Sequence, residues 1–76
     1  MNKAKRQKLK LADDLLERAK SVVDEVLHDE EDSLYGLPEN LENSMRAEAM
    51  EEAVSLLDDA LTSIEDAQQA IEEAQK

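Results

Sequence analysis

Between Met50 and Lys76 one unit recurs at seven-residue intervals. It reads Met50-Glu51-Glu52-Ala53, Leu57-Asp58-Asp59-Ala60, Ile64-Glu65-Asp66-Ala67 and Ile71-Glu72-Glu73-Ala74. Each unit holds one large apolar residue, two acids and an alanine. Seven residues make about two helical turns, so each kind of residue forms its own row along one long helix. Stepping about 100° per residue, Val54 and Leu61 widen the apolar row, the alanines flank it, and the acids occupy the far side. An upstream pattern predicts a second long helix. Leu9, Ala12, Leu16, Ala19, Val23 and Val26 are spaced alternately three and four apart, with Leu15 and Val22 on one side of that seam and Leu27 on the other. The apolar arc is roughly 160° wide, and so wide an arc needs more than one neighbour.

The segment between these helices carries the turn signals. Asp29-Glu30-Glu31-Asp32 puts four acids beside the negative end of the first helix dipole, which predicts that the helix frays there. Gly36 and Pro38, the only glycine and proline, then mark a chain reversal. Pro38 suits the first turn of a short helical segment at 38–41. Leu34, Tyr35, Leu37 and Leu41 are too apolar for a free linker and are expected to plug the end of the helix pair. Asn43 or Ser44 is placed to cap the second helix. The expected elements are helix 1 over about 3–31, a connector over about 32–43 and helix 2 over about 44–75, in one domain spanning 1–76. Two helices of similar length joined by a short connector predict an all-α fold: an antiparallel two-helix hairpin, coiled-coil-like, that dimerises into a four-helix bundle.

Charge supports the antiparallel sense. Lys3, Lys5, Arg6, Lys8 and Lys10 form a segment without an acid, whereas the whole chain carries a net charge of -11. An antiparallel pair sets those bases beside Glu65, Asp66, Glu72 and Glu73, and their attraction offsets the unfavourable dipole at each helix end. The alanines at 53, 60, 67 and 74 suggest a close backbone approach. Gln68 interrupts the Val54 and Leu61 row, and Ser63 the Leu56 and Ala70 side; both are expected at the edge of the interface.

Composition narrows the function classes. No cysteine means no disulfide framework or thiolate zinc site, and fits a reducing compartment. Asp13 and Asp14 interrupt the apolar stretch after the basic start, unlike a signal peptide, and no stretch has the length of a membrane span. A cytoplasmic location is expected. Strong negative charge disfavours direct contact with nucleic acid or an anionic membrane.

The candidate chemistry is sparse. Glu25 and His28 have the Glu-x-x-His spacing of helical di-metal sites, but such ligands must project into a bundle core, and both point away from the seam. The run of acids from Asp29 lacks the ligand spacing and central glycine of a calcium loop. His28 is the only histidine, no serine has a catalytic constellation around it, and no glycine-rich loop can cradle phosphate. Pairs such as Asp58-Asp59 lie on an open surface, where nothing would raise one pKa selectively. The basic start points in several directions around a helix and has no aromatic residue for base stacking. Neither catalysis nor any cofactor is expected.

Leu37-Pro38-Glu39-Asn40-Leu41, Ser44-x-Arg46 and Met50-Glu51-Glu52-Ala53 together resemble a recurrent set of short acidic helical proteins of bacteria and mobile elements. The likeness implies the hairpin and a phage or mobile-element origin. It implies no activity and no functional residue.

The expectation is therefore a non-enzymatic interaction module that forms a homodimer and offers an acidic surface to a protein partner with a basic surface. Leu16, Val23, Val26, Leu57, Leu61, Ile64 and Ile71 are the expected core and dimer seam; Glu51, Glu52, Asp58, Asp59, Glu65 and Asp66 are the expected partner face. The alternative is an inhibitor that imitates nucleic acid, because its acidic pairs recur about every 10.5 Å along the helix.

Overall fold

Asn2 starts the first helix. Its backbone is extended, and its side-chain oxygen accepts the Lys5 backbone N–H at 2.8 Å, satisfying one donor that a helix leaves free in its first turn. A computed structural model describes residues 1–41 and 44–76. It carries this helix, α1, over Lys3–Tyr35, followed by one 3-10 turn at Glu39–Leu41 and by α2 over Met45–Ala74. The helices pack against each other in a rod of 59 × 15 × 13 Å, and the described residues include no strand. Cross-helix contacts run from Arg6–Gln75 through Glu17–Gln68 to Lys20–Glu65, so numbers rise on α1 as they fall on α2. The chain is an antiparallel helical hairpin.

The first helix ends later than the acid run predicts. A charge near a helix end costs only about 0.3–1 kcal/mol and is screened by salt, whereas continuing the helix half-buries Leu34. It stops where Pro38 compels it to, since proline disfavours helical backbone in the residue before it. The Gly36 N–H donates to the Asp32 carbonyl at 3.0 Å and the Leu37 N–H to the Leu34 carbonyl at 3.3 Å, tightening the last turn. Gly36 has φ of −82°, so the reversal uses no left-handed glycine. Leu34 and Leu37 are half-buried at this end, but Tyr35 is 79% exposed and Leu41 is also exposed. The expected four-residue plug is therefore only Leu34 and Leu37. Leu34 lies one heptad beyond buried Leu27, and its neighbour Tyr35 is turned about 100° away.

Ser44 caps α2. Its hydroxyl accepts the Ala47 N–H at 3.2 Å and donates to the Leu41 carbonyl at 2.7 Å, tying the 3-10 turn to the helix. Asn43, the other predicted cap, lies outside the described residues.

The interhelical seam on α2 follows the expected apolar pattern through Met50, Val54, Leu57, Leu61, Ile64 and Ile71, and adds Ala47, Gln68 and Gln75; all are buried or half-buried, three and four apart. On α1 the seam is rotated from the predicted one. It runs Leu9, Asp13, Leu16, Lys20, Val23, Leu27, Glu30 and Leu34, while Ala19 and Val26 are exposed. Hydrophobicity alone favours Ala19 over Lys20. Geometry favours Lys20, whose aliphatic stem covers the seam while its ammonium reaches Glu65 at 3.7 Å. Carried forward by the same register, Leu27 stands level with Leu57–Asp58 and Leu34 with Met50–Glu51. The seam is mostly apolar toward the turn, Glu30 excepted, and toward the open end it mixes Asp13, Lys20, Gln68 and Gln75 with Leu9, Leu16 and Ile71.

Candidate interaction surfaces

The acidic candidates all lie on α2, and all six (Glu51, Glu52, Asp58, Asp59, Glu65 and Asp66) are exposed. The heptad puts them there, because α2 turns its large apolar row toward α1 and the two following positions fall on the opposite half of the helix. Glu65 reaches back to Lys20, an exposed ion pair worth about 0–1 kcal/mol. The remaining five have no ion-pair partner among the described residues. The predicted match between the basic start and the acidic end of α2 takes a different form. Arg6 donates to the Gln75 carbonyl at 3.3 Å, placing a cation at the negative end of α2, while Lys10 pairs with Asp14 of its own helix at 3.6 Å.

Of the seam candidates, Leu16, Val23, Leu57, Leu61, Ile64 and Ile71 are half-buried between the helices. Val26 is not: it is 46% exposed and one position off the seam held by Leu27, which is 5% exposed. Val26 belongs instead to an outer stripe on α1 with Leu11, Leu15 and Val22, the last three 54–60% exposed. This stripe lies about 120° around α1 from the seam. On α2, exposed Leu56 lies about as far around in the same rotational sense. In an antiparallel pair, equal senses bring both to one side of the hairpin. That side is apolar, and α2 turns most of its acids elsewhere.

Gln68 is a correction to the predicted edge. It is half-buried in the seam, and its Nε2 donates to Glu17 Oε2 at 2.9 Å. Asp13, Glu17 and Lys20 are the cross-helix residues that hydrophobicity misses. The row Leu34, Leu27, Lys20, Asp13 at sevens reveals Asp13 and Lys20 once α1 is continued to Tyr35, whereas exposed Glu17 lies off that row and is marked only by its bond from Gln68.

The other candidates sit in open surroundings. Glu25 and His28 are exposed on α1, and His28 Nδ1–H donates to the Asp24 carbonyl at 2.8 Å. That bond, with the Asp24 carboxylate 3.5 Å away, raises the His28 pKa above its ordinary 6.5. In the acidic run after His28, Glu30 and Glu31 turn partly toward the seam while Asp29 and Asp32 remain exposed. Among the described residues no group of three or more His, Asp or Glu side chains is arranged to hold a metal ion. An open crease of about 530 Å³ at the polar end is lined by Lys10, Asp13, Glu65, Gln68, Ile71 and Gln75 among others. No buried side-chain polar atom among the described residues lacks a partner, so nothing unsatisfied is aimed into that crease. No described helix is long and apolar enough to cross a membrane. Comparison of the chain with protein-family models, curated proteins and solved structures finds no match.

Proposed function

We propose that this chain is a non-enzymatic protein–protein interaction module that pairs with a second copy into a four-helix bundle and offers the acidic side of α2 to a basic protein partner. The observation that carries the reading is the division of the surface. Among the described residues only Leu27 and Ala47 are buried within the hairpin, while Leu11, Leu15, Val22, Val26 and Leu56 are exposed and fall on one side by helical stepping. Fully burying an exposed side chain of this kind gains about 1.5–3 kcal/mol, so each of these, already about half covered, gains roughly half as much, and a hairpin of this size has little core of its own to offer. A second hairpin laid on that side supplies the missing core and leaves the acid rows in water.

The dimer is tested by solution mass across a wide concentration range, with twice the 8.5 kDa chain mass expected. The acidic face is tested by the double variant Asp58→Asn/Asp59→Asn. It should keep the wild-type mass and helix content but lose salt-sensitive retention on an immobilised basic protein. Equal retention of variant and wild type would remove the acidic face from the proposal.

Nine exposed acids on one long helix also favour the second reading, mimicry of a nucleic-acid backbone. Under it, the hairpin would displace DNA or RNA from a basic nucleic-acid-binding protein, and Asp58→Asn/Asp59→Asn would abolish the displacement. Binding that ignores salt and depends on Leu34, Tyr35 or Leu37 would contradict both readings of the acidic face.

A further inference from the structure

The outer stripe of α1 is self-complementary. Leu11, Leu15, Val22 and Val26 lie symmetrically about a point between residues 18 and 19, so reversing the helix exchanges Leu11 with Val26 and Leu15 with Val22. The next outward positions on the same face, by helical stepping, are Lys8 and Asp29; they exchange too, and both are exposed. Charge follows the same symmetry with opposite sign. Residues 3–10 hold bases and no acid, and residues 24–32 hold acids and no lysine or arginine.

We infer that a second copy of this chain covers the stripe, with the two α1 helices antiparallel across a two-fold axis passing near residues 18 and 19. An interface of this kind uses one patch twice, so the patch must match its own reverse. In this arrangement apolar side chains meet at the centre, and the basic end of each α1 lies against the acidic end of the other. The competing two-fold, parallel to the helices, gathers both basic starts at one end and both acidic ends at the other, where like charges repel. The antiparallel choice therefore deepens the dimer reading and rests on it.

The chain has no cysteine, so single thiols can be placed at will. Lys8→Cys and Asp29→Cys proteins are made separately, mixed, and treated with a short thiol–thiol cross-linker. Each chain then carries a single thiol, so every link formed joins two chains. The expected result is efficient linkage of one variant to the other, with little linkage of either to itself. Leu15→Glu/Val22→Glu alters only side chains already exposed in the hairpin and should weaken association by at least about a hundredfold with helix content kept. A dimer in which Lys8→Cys links mainly to itself would overturn the antiparallel geometry and leave the dimer standing. A dimer that survives Leu15→Glu/Val22→Glu would overturn the stripe as its interface. A monomer at every concentration would overturn both.

Discussion

Lys20 shows how a charged residue can belong to a core-facing seam. Its stem is held between helices, its ammonium is partly exposed, and its partner Glu65 is more exposed still. The exposed pair contributes little, while burying a leucine of similar length gains about 1.5–3 kcal/mol. Lys20→Leu should therefore stabilise the fold by about 1 kcal/mol, seen as a higher midpoint in chemical denaturation at fixed protein concentration; a lower midpoint would mean that the ion pair sets the helix register. Leu27→Ala should cost about 2–3 kcal/mol in the same assay, since Leu27 is the one large side chain buried among the described residues. A loss near zero would place the stabilising core elsewhere. His28 gives a pH signature. Its proton is favoured by the Asp24 carbonyl first and the Asp24 carboxylate second. The pKa is raised on folding, so this contribution is present at low pH and lost as pH rises through the folded value. An NMR titration should give a midpoint above 6.5, and Asp24→Asn should lower it only part of the way because the carbonyl remains. An unchanged midpoint in Asp24→Asn would exclude the carboxylate as a cause.

At the scale of elements, α2 was nearly complete in the sequence because its heptad keeps apolar, alanine and acidic positions in separate rows. Its start was legible too: Ser44 meets the free N–H groups as a serine at that position should, and Ser44→Ala is expected to lower stability by about 1 kcal/mol in thermal melts. No loss would mean that the turn at Glu39–Leu41 holds the helix start by itself. The first helix was legible in existence and direction but not in rotation or length. Local charge argued for an end near Glu31, whereas Leu34 held against α2 and the barrier of Pro38 decide the end at Tyr35. Stopping early hid the Leu27–Leu34 row, and without that row Val26 looked as good a seam residue as Leu27. Cross-helix reach is likewise invisible to hydrophobicity, which is why Gln68 looked like an edge rather than a partner for Glu17. Exposure of the acid rows was legible, because two adjacent acids in each heptad cannot both face a neighbour.

For the whole molecule, two helices alone leave a wide apolar arc half covered. The hairpin buries one side of each helix and exposes another, and both exposed sides face the same way. Its charge is divided as well, with a basic start on an acidic body. The two-fold assembly proposed above would account for these features together, closing over the apolar side and bringing opposite charges together. Most directly at stake is the solution mass, measured by light scattering from low to high concentration at two salt levels. A mass of twice the 8.5 kDa chain under both salts is predicted. A mass of one chain throughout would contradict it, and would leave the apolar side of the hairpin open in solution.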